Sequence, residues 1–115
     1  MIHIKISCKE NVFRAVSAGH ADYDPGNDVV CAAVSALMYQ LKGSVENLLT
    51  GGKKIYRTEP GHYEVKYKAP NKDEGYRASI IYNCAIIGLL QVEATYPSFV
   101  RMTSPYDDNQ SLLDK

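Results

Sequence analysis

The stretch GHADYDPGNDVVCAAVSALMYQLKGSVENLLTGG, residues 19–52, decides the architecture. Its first nine residues, Gly19 to Asn27, are dense in turn formers and read as a loop. Asn27 or Asp28 can cap a helix, because a short polar side chain accepts from the unpaired N–H groups of the first turn. From there Val30, Val34, Leu37, Leu41, Val45 and Leu48 recur at steps of four and three. That spacing puts them on one face of a helix running from Asp28 to about Thr50 and stopped by Gly51-Gly52. An apolar helix face needs a second layer to cover it.

Toward the N-terminus that layer is a hairpin. Ile2, Ile4, Ile6 and Cys8 alternate with polar residues, Lys9-Glu10-Asn11 is a polar break, and Val12 to Ala18 follows as a second strand. Toward the C-terminus, Lys54 to Thr58 reads as a third strand and Glu59-Pro60-Gly61-His62 as a turn. Tyr63, Val65 and Tyr67 alternate with Glu64, Lys66 and Lys68 in a half-buried fourth strand. A second helix is expected from Lys72 to Thr95, with Tyr76, Ile80, Cys84, Ile87 and Gln91 on its apolar side and Pro97 ending it. Phe99 to Thr103 can close the sheet. The fold class expected is α+β, a two-layer sandwich with two helices on one face of a mainly antiparallel sheet. It makes a single domain over residues 1–103, with 104–115 as a flexible tail.

Hydrophobic residues are 45% of the 115-residue chain, charged residues 23%, and the formal net charge is zero. This is the balance of a water-soluble domain, and no direct nucleic-acid partner is expected from it. The alternating N-terminus lacks the pattern of a signal peptide, and the longest apolar run, Cys84 to Leu90, is too short to span a bilayer. A cytoplasmic location without a membrane partner is the expectation. Cys8, Cys31 and Cys84 are odd in number and lack CxxC spacing, so neither a disulfide framework nor a metal site is expected, and no cofactor.

Chemistry concentrates at one element boundary. His20 sits where a strand ends and Cys31 in the first turn of the long helix. Unpaired N–H groups and the dipole of a helix start favour a thiolate and can also face an oxyanion. An imidazole brought back by the Gly-rich loop would act on the thiol as base. The plainer readings are an inert core cysteine and a turn histidine, and the spacing of the two residues is not specific by itself.

Gly19-His20-Ala21 followed by Gly26-Asn27-Asp28-Val29-Val30-Cys31-Ala32-Ala33-Val34-Ser35-Ala36 closely resembles the signature of the bacterial ribosomal-processing cysteine protease family, Prp. The resemblance extends in outline to chain length and element order. It implies a cysteine endopeptidase with His20 as general base and acid and Cys31 as nucleophile. It implies supporting positions at Asp28 and Ser35. Independently of the resemblance, the loop from Gly19 to Asn27, with Tyr23 at its centre and Gly19 and Gly26 as hinges, reads as a substrate lid. The implied substrate is the twenty-seventh protein of the large ribosomal subunit, which loses a short N-terminal extension after a hydrophobic, Phe-rich stretch. A homodimer is implied as well. The rival reading is a ribosome-associated binding module that does no chemistry.

Other residues carry weaker signals. Asp28 either orients His20 or simply caps the helix, capping being the commoner use. Cys8 and Cys84 read as core packing, His3 and His62 as solvated surface. Lys53, Lys54, Arg57, Lys66, Lys68, Lys72 and Arg77 read as a solvated sheet face that, if clustered, would attract a ribosomal particle or an acidic partner.

Overall fold

A computed structural model describes residues 1–103 apart from Pro25. The expected tail, 104–115, lies outside the described residues. The chain runs β1 (Ile2–Lys9), β2 (Val12–Ala18), α1 (Val29–Leu48), β3 (Lys53–Glu59), β4 (His62–Lys68), α2 (Lys72–Thr95) and β5 (Val100–Thr103). The strands form one sheet in the order β3-β4-β2-β1-β5. Three of its pairings are antiparallel and only β1 with β5 is parallel. This is the expected α+β sandwich with a mainly antiparallel sheet.

Strand alternation sorts the side chains. Ile2, Ile4, Ile6, Phe13, Ala15, Val65 and Tyr67 turn inward, where they meet Val30, Val34, Met38, Leu41 and Val45 of α1. Burial of large aliphatic and aromatic groups contributes about 1.5–3 kcal/mol apiece and holds the two layers together.

The second helix buries a different side from the expected one. Tyr76, Ile80 and Ile87 are 67%, 48% and 53% exposed, and Cys84 and Gln91 are exposed with them. The side facing the sheet carries Gly75, Ala78, Tyr82, Ala85, Ile86 and Leu89. Both sides of α2 are apolar, so periodicity alone does not choose between them. Size and hydrogen bonding do. Small residues let the helix approach the sheet, and a Cβ on Gly75 would stand within 2.5 Å of Asn11 Oδ1. Tyr82, fully buried, donates its hydroxyl to Val65 O at 2.9 Å. Between the helices, a Cβ on Gly88 would stand 3.0 Å from a methyl of Leu37. Among the described residues α2 alone is long and apolar enough to cross a membrane, with a mean hydropathy of 1.3, but its Tyr82 side is packed as a core helix.

Candidate active site

The site is built where β2 ends, α1 begins and the β3–β4 turn returns. Asp28 starts α1. Its Oδ1 accepts from Val30 N at 3.0 Å and Cys31 N at 2.9 Å, and its Oδ2 accepts from Tyr23 N at 3.0 Å. The N–H of Cys31, with those of Tyr23 and Val30, holds the Asp28 carboxyl below the usual carboxylate range against the opposing pull of desolvation. With both oxygens on backbone N–H groups, Asp28 caps the helix and makes no bond to His20 among the described residues. Capping, the commoner of its two readings, is the geometry found.

The cap overturns one expectation. The N–H groups of Val30 and Cys31 donate to Asp28, and that of Ala32 donates to Asp28 O at 3.1 Å, so these groups do not face an oxyanion. The donor that reaches the sulfur comes from the loop. Ala21 N donates to Cys31 Sγ at 3.2 Å. Ala21 is only 3% exposed, and its burial pins this end of the loop to the core.

His20 is exposed, and its ring lies over the β3–β4 turn. A Cβ on Gly61 would stand 2.6 Å from His20 Nε2, so only a glycine admits the ring there. Gly61 also has φ +80, in the left-handed region that favours glycine. Its carbonyl accepts from Gly19 N at 2.9 Å, which ties the loop to the turn. The His20 ring and Cys31 line one cleft of about 150 Å³, but no hydrogen bond joins them among the described residues. Ile2, Val34, Pro60 and Tyr63 supply its apolar walls. Ser35, one helical turn after Cys31, donates to Tyr63 Oη at 3.3 Å and lines the same cleft.

The loop itself is seated. Gly19 and Gly26 have φ +104 and +86. Tyr23 stands edge-on to Tyr96 and Phe99, with ring centroids 5.5 and 5.1 Å away. Such aromatic contacts contribute about 0.5–1.5 kcal/mol each beyond their area. The cleft is smaller than the ~300–1,000 Å³ of ordinary ligand pockets, and Gly19 and His20 bring one end of the loop to its rim.

Pro60, Gly61 and Tyr63 belong to the cleft although residue reading placed them in a turn and a sheet face. The signal available was the Pro-Gly pair, whose glycine leaves room for a ring. His62, expected in solvent, is half-buried, with Nε2 enclosed and 3.9 Å from Glu64 Oε1. Cys84 is exposed on α2 rather than in the core, whereas Cys8 is half-buried against it. Among the described residues no group of His, Cys, Asp or Glu is placed to hold a metal ion.

Comparison with known proteins identifies the family. The family model described as cysteine protease Prp matches residues 1–101. The ribosomal processing cysteine protease Prp of Staphylococcus aureus, from strains Mu50 and NCTC 8325, is 26% identical over 103 residues, 88% of this chain and 94% of the relative. The crystal structure of an S. aureus ribosomal processing protease Prp with a covalently linked product peptide superposes with a TM-score of 0.74 at 26% identity, covering 90% of this chain and 98% of that one. A second S. aureus structure, with a substrate peptide, gives a TM-score of 0.70 at 21% identity over 90% and 98% of the two chains, a likeness of fold. With a family match across nearly all of the described residues, this chain belongs to the cysteine protease Prp family.

Proposed function

We propose that this cysteine protease cuts through Cys31 and His20, and that its substrate is a ribosomal precursor. The observation that carries the reading is the cleft that Cys31 and His20 share, with the Ala21 N–H bonded to the Cys31 sulfur. The Cys31 thiolate attacks the scissile carbonyl and forms a tetrahedral oxyanion. Ala21 N–H, already directed at Sγ, lies within reach of that oxygen and supplies the donor that the capped helix start lacks. Protonated His20 gives its proton to the leaving amine, leaving a thioester on Cys31. His20 then takes a proton from water, which attacks the thioester and frees the thiol. His20 reaches these positions by a small movement off Gly61 when the peptide enters, as apo hydrogen bonds often tighten only with substrate.

The substrate class follows from the resemblance and from the name of the relatives, ribosomal processing cysteine protease. The twenty-seventh protein of the large subunit, cut after a Phe-rich stretch, is the proposed target. The aromatic seat of Tyr23 supports it, since Tyr96 and Phe99 offer rings to an incoming Phe once the loop lifts. Gly19 and Gly26 serve as hinges. The enzyme is placed in the cytoplasm, where a thiol nucleophile stays reduced. It is placed in a homodimer, and the exposed apolar stripe of α2 is the surface a second copy would cover.

The test is a peptide carrying the Phe-rich junction, digested by wild type and by Cys31→Ser and read by mass spectrometry. One defined cut after the Phe-rich segment, lost in the variant, is expected. Cleavage by Cys31→Ser at a wild-type rate overturns the mechanism, and scattered or absent cuts by wild type overturn the substrate.

A further inference from the structure

Zero net charge conceals an uneven distribution. Among the described residues no helix or strand lies over the sheet face away from the helices, and register shows what stands there. Lys9 lies opposite Val12, Val12 opposite Lys68, and Lys68 opposite Lys53. In the next row Arg14 lies opposite Lys66. Directly opposed residues share a face, so Lys9, Arg14, Lys53, Lys66 and Lys68 form one band across four strands.

Two of these juxtapositions, Lys53 with Lys68 and Arg14 with Lys66, set like charges directly across from each other, which weakens a sheet. Arg14 is compensated by Glu64 at 2.9 Å. Among the described residues Lys9, Lys53, Lys66 and Lys68 have no ion-pair partner within 4.0 Å. The acids bordering the band are Glu64, in the next row on the same face and already paired with Arg14, and Glu10, exposed in the β1–β2 turn. Lys53, Lys66 and Lys68 also ring a depression of about 310 Å³ floored by Val12 and Ile55. A sheet that keeps opposed cations at a cost in stability is keeping them for a ligand.

We infer that this basic band docks the phosphate backbone of double-helical RNA. The charge is positive and spread over a width of about 15 Å, three strand spacings, which suits a row of phosphates better than one carboxylate. No aromatic ring faces outward from these rows, so the face has nothing on which to stack unpaired bases. The apolar floor is confined to two side chains, too little to enter a bilayer. The choice of RNA over other phosphate polymers rests on the ribosomal substrate proposed above. The band lies at the end of the sheet remote from Gly61, which leaves the cleft open while the RNA is held.

The experiment titrates the whole chain into a labelled RNA hairpin and reads fluorescence anisotropy from 50 to 200 mM salt, about the range over which phosphate contacts are lost. Wild type is expected to bind, with log affinity falling against log salt at a slope of about −4 for four or five phosphate contacts. K53Q/K66Q/K68Q is expected to weaken binding at least tenfold and flatten the slope by about 3, while melting no lower than wild type because the opposed charges are gone. The helix control K42Q/K72Q is expected to bind as wild type. Equal RNA affinity in wild type and the triple variant overturns the proposal. So does tighter binding to polyglutamate or to vesicles of anionic lipid than to RNA. Cleavage of the Phe-rich peptide, measured separately, is expected to be unchanged in the triple variant, and its failure in wild type would bear on the substrate and not on the RNA face.

Discussion

The backbone N–H of Ala21 donates to the sulfur of Cys31 at 3.2 Å, so the residue after the proposed base is bonded to the proposed nucleophile. That hydrogen bond leaves the donor beside the carbonyl that the sulfur attacks. It also fixes the loop to the helix start across ten residues of sequence.

Replacing Ala21 by Pro removes that donor. Cleavage should fall by about 10²-fold, the usual cost of one oxyanion donor. Alkylation of Cys31 by a small reagent should fall much less, since alkylation makes no oxyanion. Paired cleavage and alkylation rates, with circular dichroism to confirm the fold, check this.

Cys31→Ser should keep the melting temperature and lose cleavage by roughly 10³-fold or more. His20→Ala should reduce cleavage far more than alkylation, because only cleavage needs a positioned acid for the leaving amine. Mass-spectrometric assignment of the alkylated cysteine separates Cys31 from exposed Cys84.

Gly61→Ala tests the seat of His20 without touching it. The new methyl would stand 2.6 Å from Nε2 and must displace the ring, while φ +80 strains the turn. Cleavage should drop by about 10²-fold, as for a small misplacement of a reacting group. Cys31 alkylation and far-ultraviolet dichroism should stay near wild type.

Asp28 predicts a pH dependence. Its folded carboxyl sits below the ordinary value of 3.8, chiefly through the Cys31 N–H. A depressed folded value means the cap stabilises above the unfolded value and loses that contribution as pH falls through the folded one. The melting-temperature gap between wild type and Asp28→Asn should therefore be a few degrees near neutrality and shrink as pH drops below about 4. Melting curves from about pH 6 to pH 2.5 read it directly.

Tyr23→Ala removes the ring that stands against Tyr96 and Phe99. If the loop must lift for a bulky substrate, the variant should change KM for the Phe-rich peptide several-fold and leave Cys31 alkylation within about twofold. Steady-state kinetics against peptide concentration measure both parameters.

The amino-acid sequence by itself determined the element order, the helix start at Asp28 and the placement of His20 and Cys31 at one boundary. Each depends on short-range rules: period-two alternation, steps of three and four, turn residues and a capping carboxylate. The signature from Gly19 to Ala36 identified the family for the same reason, since its residues lie within one continuous stretch. Only the tertiary structure decided which side of α2 is buried. Tyr76, Ile80 and Ile87 are as apolar as Tyr82, Ile86 and Leu89, and the choice belongs to the close approach that Gly75 and Ala78 permit and to the acceptor that Val65 offers Tyr82. It likewise decided that the helix N–H groups serve the cap while Ala21 serves the sulfur, and that Gly61 carries the ring of His20. The lysines of β3 and β4 read as a solvated face in one dimension. Strand register joins them to Lys9 and Arg14, because pairing brings together residues that the chain keeps up to fifty-nine positions apart, from Lys9 to Lys68.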